Sequence, residues 1–191
     1  MQIEKQQTQK NLILKNELEE LKMTIYKNYY ERKPRKPLPV SPLYVAYGSN
    51  MNIKQMAYRC PDSTLVGKGI IKGYELVFNL HADIRPKEGA EVPVTIWNIG
   101  NRDDWMSLDM YEGLPRYYDR IIVDVELENG KTVQATVYVM VGERAEGISL
   151  PSQDYFIGIE DGYASAGIDT EPLYTALENT IKIVKENYKN A

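Results

Sequence analysis

The sequence contains very few of the residues on which disulfides, metal sites and histidine-based catalysis depend. Cys60 is its only cysteine and His81 is its only histidine. One cysteine cannot form a disulfide within the chain or a cysteine-based zinc site, and it favours a reducing compartment. A catalytic triad or a histidine-rich metal site would have to use His81 alone. We therefore expect the protein to need neither a metal nor a cofactor.

Long apolar runs and clusters of basic residues are also lacking. No segment has the ~18 apolar residues of a membrane span, and the N-terminus shows no signal-peptide pattern. The net charge is −4, and no basic face is interleaved with aromatic residues. We expect neither nucleic acid nor membrane as a partner, and we expect a cytoplasmic protein.

The N-terminal region differs from the rest of the chain. Residues 1–32 predict a polar helix on which leucine and isoleucine recur along one stripe, at Leu14, Leu18, Leu21 and Ile25. The stripe indicates either an arm that docks on a second copy or another partner, or an extension that lies on the domain. Four prolines follow within residues 33–42 and predict an extended linker.

The remainder of the chain, residues 43–191, predicts one domain that follows a helical extension and linker over residues 1–42. The chain has 191 residues, of which 43% are apolar, so it can form a substantial core. Alternating apolar residues predict short strands beside glycines at 64–66 and 74–78, and another at 92–99. Residues 120–127 and 133–139 predict a hairpin with a two-residue primed turn at Asn129-Gly130.

Residues 43–51 (LYVAYGSNM) predict a strand that enters a tight Gly-Ser-Asn turn and then a helix. Backbone N–H groups at such a turn, together with the helix N-terminus, attract a carboxylate or an oxyanion. The same pattern is common in an ordinary turn with an Asn or Ser cap. The turn alone therefore leaves an anion site and a structural turn as alternatives.

Asn101 and Ser152 are predicted to be the N-caps of two helices. The first of these, over residues 101–113, carries a glutamate on its apolar face. Trp105, Leu108 and Glu112 share one face, so a buried face would carry Glu112 inward, at the helix end where the dipole disfavours a negative charge. Burial there would raise the pKa of Glu112 into the range useful for proton transfer at neutral pH. Asp109 lies one residue off this face and is the weaker candidate.

Two other positions for Glu112 stay open at this point. A slightly rotated helix would leave the glutamate in solvent, or would pair it with Arg116 or Arg120.

Several short motifs together resemble the gamma-glutamylcyclotransferase family, which includes AIG2-like proteins. They are Tyr47-Gly48-Ser49-Asn50, Leu108-Asp109-x-x-Glu112-Gly113, Tyr118, Pro151-Ser152-x-x-Tyr155 and Leu173-Tyr174, and the resemblance covers about residues 43–181. It implies an α+β fold, a small mixed β-barrel flanked by helices, to which this chain adds the N-terminal helical extension. It also implies an enzyme that cyclises a small-molecule gamma-glutamyl amine or peptide to 5-oxoproline and releases the free amine.

The resemblance also implies roles for individual residues. Glu112 would be the general acid/base, and Tyr155 would contact the substrate, although an ordinary core tyrosine is the alternative reading of that position. The substrate cradle would be formed by Tyr44, Val45, Ala46, Tyr47, Gly48, Ser49 and Asn50. The leaving amine is not specified by these motifs, and contacts of His81, Arg85, Arg116 or Tyr118 with it stay open.

Cyclisation fits the small set of reactive residues in this chain. The α-amine of a gamma-glutamyl group can reach its own γ-carbonyl, so the enzyme must supply only proton transfer and charge stabilisation. The alternative function is a non-catalytic module that binds a carboxylate-bearing ligand on the same fold. A glycosidase would need two carboxylates that flank one bond, and Asp109 and Glu112 are poorly aimed for that task.

Overall fold

The structure, a computed structural model, describes residues 13–14, 16–18, 20–21, 24, 37–39 and 41–189. The chain divides into two units, Met1–Leu38 and Pro39–Ala191. In the first unit the described residues between 13 and 24 are helical, and Leu14, Leu18 and Leu21 are each about half exposed. Ile25, the last residue of the predicted stripe, lies outside the described residues. The domain boundary after residue 42 stays a prediction.

Five strands of the second unit form a closed barrel. They are β1 (Leu43–Ala46), β2 (Thr64–Asn79), β3 (His81–Asn98), β4 (Tyr118–Leu127) and β5 (Thr132–Met140), and they follow the order β1-β3-β2-β4-β5 around the barrel. The pair β1–β5, which closes the barrel, is parallel, whereas the other pairs are antiparallel. The predicted small mixed β-barrel is thus confirmed.

β2 and β3 are longer than the sequence predicts. The glycines that suggested strand ends lie instead at irregularities of one long antiparallel pair, with register shifts between Leu65 and Gly67 and between Lys72 and Tyr74. Gly73 (φ 77°) occupies the second irregularity in the left-handed region. Such bulges bend and twist a strand without ending it, as a small barrel requires. The prediction of separate short strands was therefore wrong.

The hairpin of β4 and β5 is confirmed, but its turn differs from the predicted one. A primed two-residue turn needs positive φ at both Asn129 and Gly130. Gly130 has a φ of 76°. Asn129 does not have a positive φ, because Leu80 is the one non-glycine residue with positive φ in the described part of the chain. The Leu127 N–H bonds to the Lys131 carbonyl oxygen at 2.8 Å, which leaves a three-residue loop.

Four helices pack with the barrel in the second unit: α1 (Ile53–Arg59), α2 (Arg102–Tyr111), α3 (Gln153–Ser165) and α4 (Glu171–Lys189). Short 3-10 turns lie at Ser49–Met51 and Gly142–Ala145. The predicted caps are present, because the Asn101 side chain accepts from the Asp104 N–H at 2.8 Å and the Ser152 hydroxyl accepts from the Tyr155 N–H at 3.3 Å.

The core fills the barrel and the space beneath the helices. Its fully buried side chains include Val45, Phe78, Ile96, Leu108 and Ile159. Within the described residues, every helix is too short or too polar to cross a membrane.

Candidate active site

Two adjoining pockets lie at the end of the barrel where β1 and β5 end and β4 begins. The inner pocket, of about 30 Å³, is lined by Tyr44, Tyr47, Gly48, Ser49, Asn50, Ala82, Glu112, Tyr118, Tyr138 and Tyr155. The outer pocket, of about 480 Å³, is lined by Ser49, Arg59, His81, Met110, Tyr111, Glu112, Gly113, Tyr117, Tyr118 and Tyr155. Because Glu112 lines both pockets, its carboxylate lies at their junction.

Helix α2 delivers Glu112 to this junction. Trp105 and Leu108 are 4% and 0% exposed, so the predicted apolar face is buried, and Glu112 caps the helix on that face. Gly113 follows with a φ of 64°, which turns the chain away from the helix axis immediately after the carboxylate. The helix period and a terminating glycine together fix the place of Glu112.

The Glu112 carboxylate is bound by the turn at the end of β1. The Asn50 amide nitrogen donates to Glu112 Oε1 at 2.8 Å and to the Tyr44 hydroxyl at 2.8 Å. Asn50 is 3% exposed, so these hydrogen bonds are shielded from water. The two motifs that carried the family resemblance thus meet through a hydrogen bond between side chains.

Burial is the main influence on the ionisation of Glu112. It raises the pKa of the carboxyl to about 7, while the charge of Arg59 and the hydrogen bond from Asn50 lower that pKa and the charge of Asp109 raises it. A group with a pKa near 7 is present in both protonation states at neutral pH. Glu112 can therefore both accept and deliver a proton.

Five tyrosines surround the inner pocket and stay protonated at neutral pH. Burial is the first cause that raises the pKa of Tyr44, Tyr47, Tyr118, Tyr138 and Tyr155, the last to about 12. Their hydroxyls are hydrogen-bond groups and do not act as bases here. Around Ala82, the Tyr118 hydroxyl donates to the carbonyl oxygen at 2.8 Å and the Tyr155 hydroxyl accepts from the N–H at 3.1 Å.

The Gly-Ser-Asn turn presents backbone donors to the inner pocket. The Gly48 and Ser49 carbonyls accept from Met51 and Asn52, whereas the N–H groups of residues 48–50 have no acceptor among the described residues. The α1 N-terminus does not add to this set, because the Asn52 side chain accepts from the N–H groups of Lys54 and Gln55. An Asn cap, which the sequence left open as the alternative interpretation of this segment, is therefore present at the helix end.

The structure brings most of the predicted cradle residues to the inner pocket. Tyr44, Tyr47, Gly48, Ser49 and Asn50 line it, and Tyr155 lines both pockets. Val45 and Ala46 are 0% and 1% exposed and line neither pocket, because they pack into the core beneath the turn.

The residues whose contacts were left open fall into two groups. Tyr118 lines both pockets, and His81 lines the outer one with its ring edge-on to Tyr155, 4.9 Å between centroids. Arg85 and Arg116 line neither pocket. The Arg85 guanidinium instead donates to the Gly147 carbonyl oxygen at 2.5 Å.

Asp109 does not face away from the core, contrary to the sequence-based interpretation. It is 5% exposed, accepts from the Tyr138 hydroxyl at 2.7 Å and lies 3.4 Å from Arg120 Nε. Strands β4 and β5 cover a second side of α2, which helix periodicity alone does not reveal.

Arg59 and Tyr138 line the pockets and were not singled out from the sequence. The one signal for Arg59 in the sequence is its position in the last turn of a predicted helix.

Across the described residues, no group of three or more histidine, cysteine or acidic side chains is placed to hold a metal ion.

Comparison with known proteins places the chain in a family. The sequence model described as gamma-glutamyl cyclotransferase, AIG2-like, matches residues 44–156, a range that contains the turn, Glu112 and Tyr155. The chain therefore belongs to the gamma-glutamyl cyclotransferase, AIG2-like family. No curated protein sequence gives a significant match.

Solved structures share the fold. A structure named gamma-glutamyl cyclotransferase is 24% identical with a TM-score of 0.63, over 75% of this chain and 98% of that one. The uncharacterized human protein LOC79017 is 25% identical with a TM-score of 0.59, over 73% of this chain and 84% of that one. YkqA of Bacillus subtilis is 25% identical with a TM-score of 0.55, and the match covers 78% of this chain and 54% of YkqA.

Proposed function

We propose that the protein cyclises a gamma-glutamyl amine or peptide to 5-oxoproline and releases the free amine, with Glu112 as general acid/base. The observation that carries this proposal is the half-buried Glu112 carboxylate, whose pKa is raised by burial to about 7. This carboxylate is hydrogen-bonded to Asn50 of the turn whose N–H groups at residues 48–50 have no acceptor among the described residues. Membership of the gamma-glutamyl cyclotransferase, AIG2-like family supports the same reaction class.

The proton transfers of the reaction require one group that can both accept and donate a proton. The substrate α-ammonium loses a proton to Glu112, and the free amine attacks the γ-carbonyl carbon to give a five-membered cyclic tetrahedral intermediate that carries an oxyanion. The amide C–N bond breaks as Glu112 returns the proton to the leaving nitrogen and the lactam carbonyl forms. The ring nitrogen then loses its second proton to Glu112, which passes it to the released amine, so that this amine leaves as an ammonium ion. No water is consumed and no other reactant is needed, because nucleophile and electrophile belong to one molecule.

The developing oxyanion needs donors that are already in place. Residues 48–50 line the inner pocket, and their N–H groups have no acceptor among the described residues, which suits this role. Gly48 keeps this surface open, since a Cβ there would lie 3.4 Å from Ala82 Cβ and 3.6 Å from the Tyr155 hydroxyl. The γ-glutamyl head would occupy the inner pocket and the leaving amine the wider outer pocket.

The test measures 5-oxoproline released from a panel of gamma-glutamyl amines that includes amino-acid, dipeptide and polyamine derivatives. We expect release from at least one member, and we expect Glu112→Gln to reduce it by at least about a hundredfold, since the amide cannot carry the proton. The matched control is Glu88→Gln at an exposed position of β3, which should retain full activity.

Two results would contradict the proposal. Activity of Glu112→Gln equal to the wild type would remove Glu112 from the mechanism. Binding of panel members without any 5-oxoproline release would favour the alternative function, a non-catalytic module for carboxylate-bearing ligands.

A further inference from the structure

We propose that Arg59 is a positioning residue of this site, which fixes the orientation of the Asn50 amide and, through that amide, the carboxylate of Glu112. The proposal rests on the proposed function for its kinetic consequences. Its structural part, the control of Glu112 by Arg59, can be tested in the protein without any substrate.

Arg59 is held both at its backbone and at its guanidinium. It is the last residue of α1, and its backbone carbonyl accepts from the Ser107 hydroxyl of α2 at 2.7 Å. Its guanidinium lies over the ring of Tyr111, 4.5 Å from the centroid. From there Nη1 donates to the Ser49 hydroxyl at 3.1 Å and to Asn50 Oδ1.

This contact determines which way the Asn50 amide faces. A guanidinium can only donate, so the group that it meets on Asn50 must be the carbonyl oxygen. The amide nitrogen is then directed to Glu112 Oε1 and to the Tyr44 hydroxyl, each at 2.8 Å. Without Arg59, a rotation of the amide by half a turn would place its oxygen against the carboxylate, which is repulsive.

Arg59 is also the cation that acts on Glu112 among the described residues. The charges that influence the pKa of Glu112 are those of Arg59, which lowers it, and of Asp109 on the same helix, which raises it. The other groups around Glu112 whose pKa is shifted are neutral at pH 7, because burial raises the pKa of five tyrosines and of Cys60 and lowers that of His81. These groups are Tyr44 of β1, Tyr47, Cys60, His81 of β3, Tyr118 of β4, Tyr138 of β5 and Tyr155 of α3. Tyr111 of α2 and Tyr117 also line the outer pocket beside Glu112.

The first test is kinetic and uses the panel member with the highest turnover. We expect Arg59→Met to lower kcat by about ten- to a hundredfold with little change in KM, and to move the acid limb of the kcat profile to higher pH. Arg59→Lys keeps the charge and should return the acid limb toward its original pH. Arg102→Met, at an exposed position of α2, controls for the loss of an arginine and should behave as the wild type.

The second test needs no turnover and therefore separates this proposal from the proposed function. The pKa of Glu112 is measured by NMR of labelled glutamate carboxyls and assigned by the signal lost in Glu112→Gln. We expect Arg59→Met to raise this pKa and Arg59→Lys to restore it, with unchanged thermal unfolding of Arg59→Lys as the check on folding. An unchanged pKa in Arg59→Met would overturn the proposal.

One further result would also overturn it. A rise in KM with kcat and the pH profile unchanged would mean that Arg59 contacts the leaving group in the outer pocket and does not act through Asn50.

Discussion

Tyr155 and Tyr163 lie on the same helix and differ in one hydrogen bond. The Tyr155 hydroxyl accepts from the Ala82 N–H at 3.1 Å and faces both pockets, whereas the Tyr163 hydroxyl is buried without a hydrogen-bond partner in the described structure. A buried hydroxyl without a partner costs free energy, and a buried N–H that loses its partner costs it as well. The pair therefore provides a matched test at the scale of single residues.

We expect Tyr155→Phe to destabilise the fold by about 1 to 3 kcal/mol, because the Ala82 N–H loses its acceptor. The same change should lower activity, since Ala82 and Tyr155 line the inner pocket. Tyr163→Phe should leave stability equal or higher and activity unchanged. Denaturant unfolding and 5-oxoproline release measure these effects, and equal losses in the two variants would contradict the assignment.

Individual side chains also show which parts of the site the sequence predicts and which it does not. The inward direction of Glu112 was predictable, because Trp105 and Leu108 lie at helical spacing from it. The link from Arg59 to Glu112 was not predictable, since the two residues are 53 positions apart and are connected only through Asn50, when α1 folds back over the turn. Periodicity describes one element at a time and carries no information on such contacts.

At the scale of elements, the end of α2 depends on one backbone conformation. Gly113 has a φ of 64°, and a Cβ there would lie 2.8 Å from Tyr117 Cδ2. Gly130 in the β4–β5 loop has a φ of 76° and would meet nothing within 4 Å. An alanine at either position would have to adopt an unfavourable positive φ, but only at Gly113 would its Cβ also clash with a neighbouring side chain.

Gly130→Ala should therefore destabilise the protein by about 1 kcal/mol and leave activity unchanged. Gly113→Ala should cost about 1 to 3 kcal/mol more and should also reduce kcat, because Tyr117 and the neighbouring Glu112 must shift. Chemical denaturation and steady-state kinetics test both. Similar losses of stability in the two variants would contradict this prediction, because they would show that Tyr117 moves aside at no cost in free energy.

The elements differ in how well their sequence predicts them. Helix caps at Asn101 and Ser152 are local signals and are confirmed. The long β2–β3 pair was divided wrongly, because a glycine at a bulge and a glycine at a strand end look alike in sequence. Which of the two occurs depends on the curvature of the closed barrel, a property of five strands together.

At the scale of the whole molecule, the ionisation of Glu112 opposes folding. Its folded pKa of about 7 lies above the ordinary value of 4.5, so the folded protein binds more protons than the unfolded chain between these pH values. Stability is thus greatest below pH 4.5 as far as this group is concerned, and it falls as the pH rises through 7. The ionised carboxylate that the proposed reaction uses therefore lowers the stability of the folded protein.

Glu112→Gln should consequently be more stable than the wild type at pH 8, by up to about 3 kcal/mol, and this difference should shrink below pH 5. Urea unfolding at several pH values measures the difference, with Glu88→Gln at an exposed position as the control for the loss of one carboxylate. A constant difference across the pH range would mean that the folded and unfolded proteins share one pKa for Glu112.

The pocket also has an optical property, which follows from the position of Trp105. Its ring contacts Tyr44 edge-on at 6.3 Å between centroids, and the Tyr44 hydroxyl is held by Asn50 in the inner pocket. The chain has one other tryptophan, Trp97, whose ring nitrogen is bonded to the Thr95 hydroxyl within the barrel. Trp97 is also the partner of Tyr44 in the register of β1 and β3. Any ligand that disturbs Tyr44 therefore changes the surroundings of both indoles, so that the emission spectrum of the unlabelled protein carries a signal of occupancy.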